Sequence, residues 1–220
     1  MELYDRLLQF TLFQGMSHAD LMEVAGHTKF GFHKLAAGKR IVNEGDDCLQ
    51  LLFLTHGTVR CETRNDGNAY RVEETIKAPY TLQPERLFGL NQRYTTSFKT
   101  LTPCNLFSID KQEVLLLLET QLVFRLNLLN IMATESQRLR HHAWRTAPKS
   151  LRERLVRFFF AHCLYPAGPK TFHILMQQIA DELNDSRLDI SHALNDMQHD
   201  ELLSLHRGRI EIPLLERLLM

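Results

Sequence analysis

A polar cluster near the C-terminus has the residue types that read the edges of DNA bases. At about 100° per residue, the side chains of Leu188, Ser191, His192 and Asn195 lie on one face of a helix, with Arg187 beside them. A guanidinium can bond both O6 and N7 of guanine, and leucine can touch a thymine methyl group. Arg187 is therefore predicted to read a guanine, while Ser191 and His192 reach bases or adjacent phosphates and Asn195 is a weaker candidate.

Two short helices and a tight turn would present this face outward. Residues 176–183 predict the first helix, and residues 184–186 predict a turn, because asparagine tolerates the left-handed conformation. On the second helix, Ile190 and Leu194 lie on the opposite, buried face. This pattern predicts a helix-turn-helix, and residues 203–212 predict a two-stranded wing with a basic tip. The residues expected to hold phosphates without reading sequence are Gln177, Ser186, Arg207 and Arg209.

The charge distribution is compatible with a polyanionic partner but does not establish one. Lys plus Arg and Asp plus Glu are both 26, so the chain has no net charge. Residues 138–157, however, carry seven basic side chains against Glu153 alone. Such an excess suits nucleic acid, although charge alone favours an ordinary solvated helix face.

The first half of the chain reads as β structure. In residues 59–64 apolar or small residues alternate with charged ones, which is the period of a half-buried strand. Asp66 and Gly67 follow, a pair that favours a hairpin turn. Short strands separated by turn residues continue from Phe30 to Ile109. They predict a closed or sandwiched antiparallel sheet, and hence an α+β chain with an N-terminal β-roll of jelly-roll type.

A long helix is predicted after the β region. Its seam of Leu122, Leu126, Leu129 and Ala133 follows a 4-3-4 spacing, as in a two-stranded coiled coil. We therefore expect these residues to pair with a second copy of the chain. A single buried core helix explains the apolar residues about equally well. Residues 146–148 then read as a hinge, since proline does not continue a helix.

Together these parts resemble the Crp/Fnr family of bacterial transcription regulators. The resemblance rests on residues 174–203, which match the family's helix-turn-helix without a gap, and on the glycine-marked turns Gly38–Ile41, Glu44–Asp46 and Leu54–Val59. The order of roll, long helix, proline-bearing hinge and winged domain also matches. The resemblance implies a sensor β-roll in residues 1–118, a dimerisation helix and hinge in 119–146, and a winged helix-turn-helix domain in 147–220.

The same resemblance implies a function and its partners. A Crp/Fnr-type regulator is a homodimer that binds a pseudo-palindromic operator in double-stranded DNA, and RNA polymerase is a further expected partner. The first six residues lack the basic and apolar regions of a secretory signal, and residues 114–132 are interrupted by polar side chains. We therefore expect a cytoplasmic protein without membrane contact.

The predicted ligand pocket departs from the family's pattern for cyclic nucleotides. Family members use a Gly-Glu pair and, about ten residues later, an Arg-Ser or Arg-Thr pair whose arginine holds the phosphate. Here proline precedes Glu85, and Tyr94 falls at the arginine position, with Arg93 one position away. We therefore expect an unknown small-molecule effector rather than cyclic AMP. The candidate pocket residues are Glu85, Gly89, Arg93, Tyr94, Thr95 and Thr96.

Other classes of protein have weaker support. The first cysteine is Cys48, so the N-terminal cysteine cluster of the oxygen-sensing branch is absent, and the four thiols are expected to be buried and structural. Neither the cysteines nor the histidines show metal-ligand spacing, so no metal or other cofactor is predicted. Without a glycine-rich phosphate loop or nucleophile elbow, no enzyme activity is expected. A small-molecule sensing module in which ligand binding is the main role remains the alternative.

Overall fold

The computed structural model of the chain describes residues 3–67, 69–142 and 146–219. Helices and antiparallel strands both contribute, which confirms the predicted α+β class. The α-helices are α1 (Leu3–Leu7), α2 (His18–His27), α3 (Lys111–Thr120), α4 (Leu122–His142), α5 (Leu151–Ala161), α6 (Met176–Leu183) and α7 (Arg187–His199). The strands are β1 (Phe30–Leu35), β2 (Arg40–Val42), β3 (Gln50–His56), β4 (Thr58–Arg64), β5 (Arg71–Lys77), β6 (Tyr80–Leu82), β7 (Ser97–Thr100), β8 (Cys104–Asp110), β9 (Lys170–His173), β10 (Ser204–His206) and β11 (Arg209–Ile212). Short 3₁₀ helices cover Thr11–Phe13, Pro84–Arg86 and Leu215–Leu219.

The chain folds into two compact units that are not continuous in sequence. The first unit contains residues 1–59, 77–95 and 99–145, and the second contains residues 60–76, 96–98 and 146–220. Residues 60–76 thus group with the C-terminal part of the chain, although they lie inside the predicted sensor region. The assignment of residues 1–118, 119–146 and 147–220 to separate functional domains stays a prediction.

A four-stranded antiparallel sheet forms the centre of the first unit. Its strands lie in the order β1-β8-β3-β6, and Phe53 on β3 lies opposite Phe107 on β8. The two rings stack with centroids 4.4 Å apart, and Phe10 meets Phe53 edge-on at 5.1 Å. Phe10, Phe53 and Phe107 are at most 2% exposed, so this aromatic cluster is a core of the unit.

Gly57, between β3 and β4, occupies a position where no side chain fits. Its φ is +99°, and a Cβ would lie 2.6 Å from both Cys104 Sγ and Pro103 O. Both the backbone conformation and the close approach therefore require glycine. This is one of the glycine-marked turns that the sequence indicated.

The helix predicted to mediate dimerisation presents a divided surface. On α4, Phe124 and Leu128 are buried in the first unit, at 0% and 5% exposure. The side chains of Leu122, Leu126 and Leu129 are 57%, 48% and 57% exposed, and Ala133 is also exposed. Among the described residues no single helix is long and apolar enough to cross a membrane, and only α3 and α4 together, bent by 114°, have the necessary length and composition.

The second unit combines a hairpin from the middle of the sequence with the C-terminal helices. Strands β10, β11, β9, β5 and β4 are neighbours in that order, and β5 pairs antiparallel with β9. In this register Val72 faces Phe172, and both join the apolar core formed with α5, α6 and α7. The hairpin therefore supplies both a strand and core side chains to the unit that holds the predicted reading helix.

A buried ion pair lies on the same two strands. Lys170 Nζ donates to Glu74 Oε1 at 2.8 Å, and the two side chains are 0% and 1% exposed. Glu74 also accepts the backbone N–H groups of Leu164 at 2.8 Å and Tyr165 at 3.1 Å. Three donors thus satisfy a carboxylate that water does not reach, which is what a buried charge requires.

Candidate nucleic-acid interface

Helices α6 and α7 are joined by the three-residue turn Asn184-Asp185-Ser186, at the predicted positions. Asn184 has φ 49° and ψ 55°, the left-handed conformation expected of it. Ser186 Oγ accepts the backbone N–H of Asp189 at 3.0 Å and so caps α7. Ile190 and Leu194 are fully buried, which fixes the opposite face of α7 toward solvent.

The residues predicted to read bases lie on or beside this outward face. Arg187 and His192 are exposed, and Leu188 is 65% exposed. Asn195 Nδ2 donates to the half-buried Ser191 Oγ at 3.4 Å, a long bond that leaves the amide oxygen available. Within the described parts of the chain, Arg187 has no ion-pair partner. Its guanidinium is therefore free to bond an external acceptor.

The four residues predicted to contact phosphates differ in how many of their hydrogen-bond donors are already bonded within the protein. Gln177 donates to Asp181 Oδ1 at 2.8 Å, and Arg209 pairs with Glu211 at 3.1 Å. The Ser186 hydroxyl donates to Asp189 Oδ2 at 2.6 Å, and its backbone N–H donates to Asp185, so both of its donors are occupied. Arg207 is exposed and, over the residues that the structure describes, forms no ion pair. Arg207 is thus the most available of the four.

A groove separates the start of α7 from the β10–β11 hairpin. Its volume is about 480 Å³, and its apolar lining includes Leu175 and Met176. Arg187 and Arg207 both line it, from the helix side and the hairpin side respectively. Two unpaired guanidinium groups facing one groove make it attractive to an anion such as a phosphate.

Most of the basic stretch that the sequence singled out is engaged within the protein. Arg152 donates to Asp200, Arg154 to Asp185, and Arg157 to Glu153. Arg138 pairs with Glu135 at 3.1 Å, and residues 143–145 lie outside the described residues. The solvated-face interpretation therefore fits this stretch better than a phosphate-binding surface. The sequence showed the excess of basic residues but carried no signal for their partners, so it missed the contact of Arg154 with the turn.

The pocket residues of the first unit lack the phosphate-holding pattern, as the sequence indicated. Tyr94 is 3% exposed and its hydroxyl donates to Gln50 O at 3.4 Å. Arg93 turns to the surface, where it pairs with Asp47 at 3.3 Å and donates to Gly45 O at 2.9 Å. Arg93 thus lies on the exposed side of this extended segment, whereas the neighbouring Tyr94 is buried.

The other candidate pocket residues are held by neighbours within their own units. Gln83 bonds Thr95 twice, from Nε2 to Oγ1 at 2.7 Å and from Thr95 N to Oε1 at 3.0 Å. Glu85 lies 3.7 Å from Arg86, and burial raises the pKa of its carboxyl. Gly89 is exposed with φ 96°. Thr96 belongs to the second unit, where its hydroxyl is 2.8 Å from that of Thr63.

The four cysteines are buried and free, as predicted. Burial raises the pKa of each thiol, that of Cys163 to about 12, so none of them is a thiolate near neutral pH. Across the described residues, no group of three or more His, Cys, Asp or Glu side chains is placed to hold a metal ion.

Comparison with known proteins identifies both the first part of the chain and the whole fold. Residues 32–121 match the family model of the cyclic nucleotide-binding domain. The catabolite activator protein of Thermus thermophilus is 18% identical with a TM-score of 0.53, and the match covers 95% of this chain and 96% of that chain. No curated protein is significantly similar to the chain in sequence.

Two solved domains of transcriptional regulators match a shorter part of the chain over their full length. The sensor domain of the transcriptional regulator DNR from Pseudomonas aeruginosa is 19% identical, with a TM-score of 0.51 and coverage of 69% of this chain and 100% of that chain. The N-terminal domain of a transcriptional regulator from Streptomyces coelicolor is 18% identical, with a TM-score of 0.51 and coverage of 66% and 100%.

Proposed function

Because residues 32–121 match the cyclic nucleotide-binding domain and the fold is similar to that of the catabolite activator protein, we propose that this chain is a Crp/Fnr-type regulator that binds duplex DNA sequence-specifically and regulates transcription. The observation that carries the proposal is the outward face of α7, where an unpaired Arg187 stands beside Ser191, His192 and Asn195. Helices α6 and α7 with the hairpin β10–β11 then act as a winged helix-turn-helix. No catalytic role is proposed for the chain.

The proposed active form is a homodimer. Leu122, Leu126 and Leu129 are about half exposed on α4, and burying them against a second copy would remove a row of apolar side chains from water. A two-fold dimer would place two α7 helices in successive major grooves, with half-sites about 34–36 Å apart, so the operator would be a pseudo-palindrome. RNA polymerase, by family resemblance, is the further partner of the DNA-bound form, and the cytoplasm its compartment.

The test is a binding series on an operator selected from random duplexes. Arg187→Ala should cost about 1–3 kcal/mol and relax the preference at one base pair per half-site. Arg207→Ala should weaken all sequences alike and reduce the salt dependence, because a phosphate contact carries no sequence information. If Arg187→Ala leaves affinity and preference unchanged, α7 is not the reading helix.

The second candidate is a small-molecule sensing module, which the cyclic nucleotide-binding match favours. Its effector would differ from cyclic AMP, because Tyr94 replaces the phosphate-holding arginine and Arg93 is engaged by Asp47. Thermal stabilisation of the chain by a panel of small molecules, without specific binding to any duplex, would favour this role over DNA binding.

A further inference from the structure

The turn before α7 is held by a side chain from outside the two helices that it joins. Within the turn, Asp185 N–H donates to Ala180 O at 3.0 Å, and Asp185 Oδ1 accepts the backbone N–H of Ser186 at 2.8 Å. The second oxygen of Asp185 accepts a charge-assisted bond from Nη2 of Arg154 on α5. Asp185 is therefore the point at which the turn is fixed to the rest of the unit.

Arg154 bonds the last residue of α6 as well. Its Nη1 donates to Leu183 O at 3.1 Å, a carbonyl at the C-terminal end of the helix that has no partner inside the helix. One guanidinium thus connects the end of α6 and the turn to α5. Lysine could not do the same, because its single ammonium lacks the fixed fork of donors.

A second α5 arginine offers a direct comparison. Arg152 pairs with Asp200 at the C-terminal end of α7 at 2.6 Å, and these side chains are 48% and 46% exposed. The side chains of Arg154 and Asp185 are 34% and 17% exposed. The Arg154 pair therefore lies at the N-terminal, base-reading end of α7 and is partly shielded from solvent. The Arg152 pair lies at the C-terminal end of α7 and is more exposed, so it is expected to contribute less.

We propose that Arg154 is a positioning residue for DNA reading, which sets the direction of α7 without touching DNA. The proposal rests on the function proposed above. Side chains that read base edges must be held within about 0.5 Å and 10–20° of the productive geometry. Since Arg187 directly follows the turn residue Ser186, a change in the turn moves it first.

The decisive variant is Arg154→Gln, with Arg152→Gln as its matched control. Both remove one positive charge from α5, two residues apart, but only the first releases the turn. Arg154→Gln should lower affinity for the selected operator about tenfold, as the loss of charge-assisted bonds predicts. Binding to random duplex and the slope of affinity against salt should change no more than in the control. Arg154→Lys should recover part of the loss.

Two results would overturn the proposal when the wild type binds its operator. One is an equal loss of specific affinity in Arg154→Gln and Arg152→Gln. The other is a salt slope that falls by about 0.9 in Arg154→Gln alone, because that would mean a direct phosphate contact. Both would leave the proposed DNA-binding function standing.

Hydrogen exchange tests, without DNA, whether Arg154 holds the turn in place, and it also shows whether the variant is folded. In Arg154→Gln the amides of Asp185 and Ser186 should lose protection, while those of Ile190 and Leu194 keep theirs. Asp185→Asn provides a second variant, because it removes the anionic partner of Arg154 and should give the same exchange pattern. If neither variant loosens the turn, the positioning proposal fails, whether or not the wild type binds DNA.

Discussion

Removing the ammonium of Lys170 should lower the free energy of unfolding far more than breaking a more exposed ion pair of similar N–O distance. Lys170→Met keeps an unbranched stem of similar size but leaves Glu74 buried with two backbone N–H groups and no counter-charge. Breaking a buried pair in this way costs about 3–5 kcal/mol.

Arg64→Met is the control, because Arg64 and Glu62 are 2.7 Å apart in the same unit with side chains 49% and 27% exposed. Exposed pairs contribute about 0–1 kcal/mol. The two variants therefore compare ion pairs with similar N–O distances, 2.8 and 2.7 Å, in a buried and a more exposed environment.

Urea unfolding followed by circular dichroism measures the loss in free energy of unfolding for both variants. An unchanged m-value would show that their unfolded states are comparable. The double variant Lys170→Met with Glu74→Gln should recover part of the loss, since it removes the unpaired charge. If Lys170→Met costs less than about 1 kcal/mol, no more than Arg64→Met, then Glu74 and Lys170 are not a buried pair in solution.

Three further predictions concern the first unit. Replacing Leu126 and Leu129 together with Asp should give monomers by light scattering, because the proposed interface would bury unpaired charges; a persistent dimer would contradict the assignment of α4. Burial raises the pKa of Glu85, so the ionised carboxylate destabilises the folded state. Glu85→Gln should therefore increase the free energy of unfolding at neutral pH. This gain should vanish below the ordinary glutamate pKa of about 4.3, where the carboxyl is protonated in both the folded and the unfolded state. A gain independent of pH in denaturant unfolding would show another cause. Calorimetry with cyclic AMP should give no binding tighter than about a millimolar, and micromolar binding would mean that Arg93 or another cation holds the phosphate.

The local elements of the candidate site could be predicted because their signals are local. Asn184 in a left-handed turn, Ser186 as a helix cap and the buried face of α7 follow from residue types and a spacing of three or four. The bounds of α6 match residues 176–183 as predicted. The alternation in residues 59–64 likewise predicted a strand where β4 lies.

The long-range contacts could not be predicted in the same way. A lysine at position 170 reads as a surface residue, and its burial depends on Glu74, which is distant in sequence. The excess of arginines around residue 154 suggested a partner outside the chain, whereas their acidic partners come from α5 itself, the turn and the end of α7. Charge counts contain no information on which carboxylate a guanidinium meets.

The pairing of β5 with β9 has a consequence for how the chain is made. On the ribosome the hairpin β4–β5 is complete long before β9 is synthesised, and at 5–20 residues per second it waits about 5–20 s for its partner. During that time the bonding edge of β5 is unoccupied and Glu74 has no lysine. An open strand edge is a template for pairing with other chains, so the nascent protein is exposed to aggregation through this edge during the interval. A chaperone that covers this hairpin until β9 has been made should therefore reduce aggregation of the nascent chain.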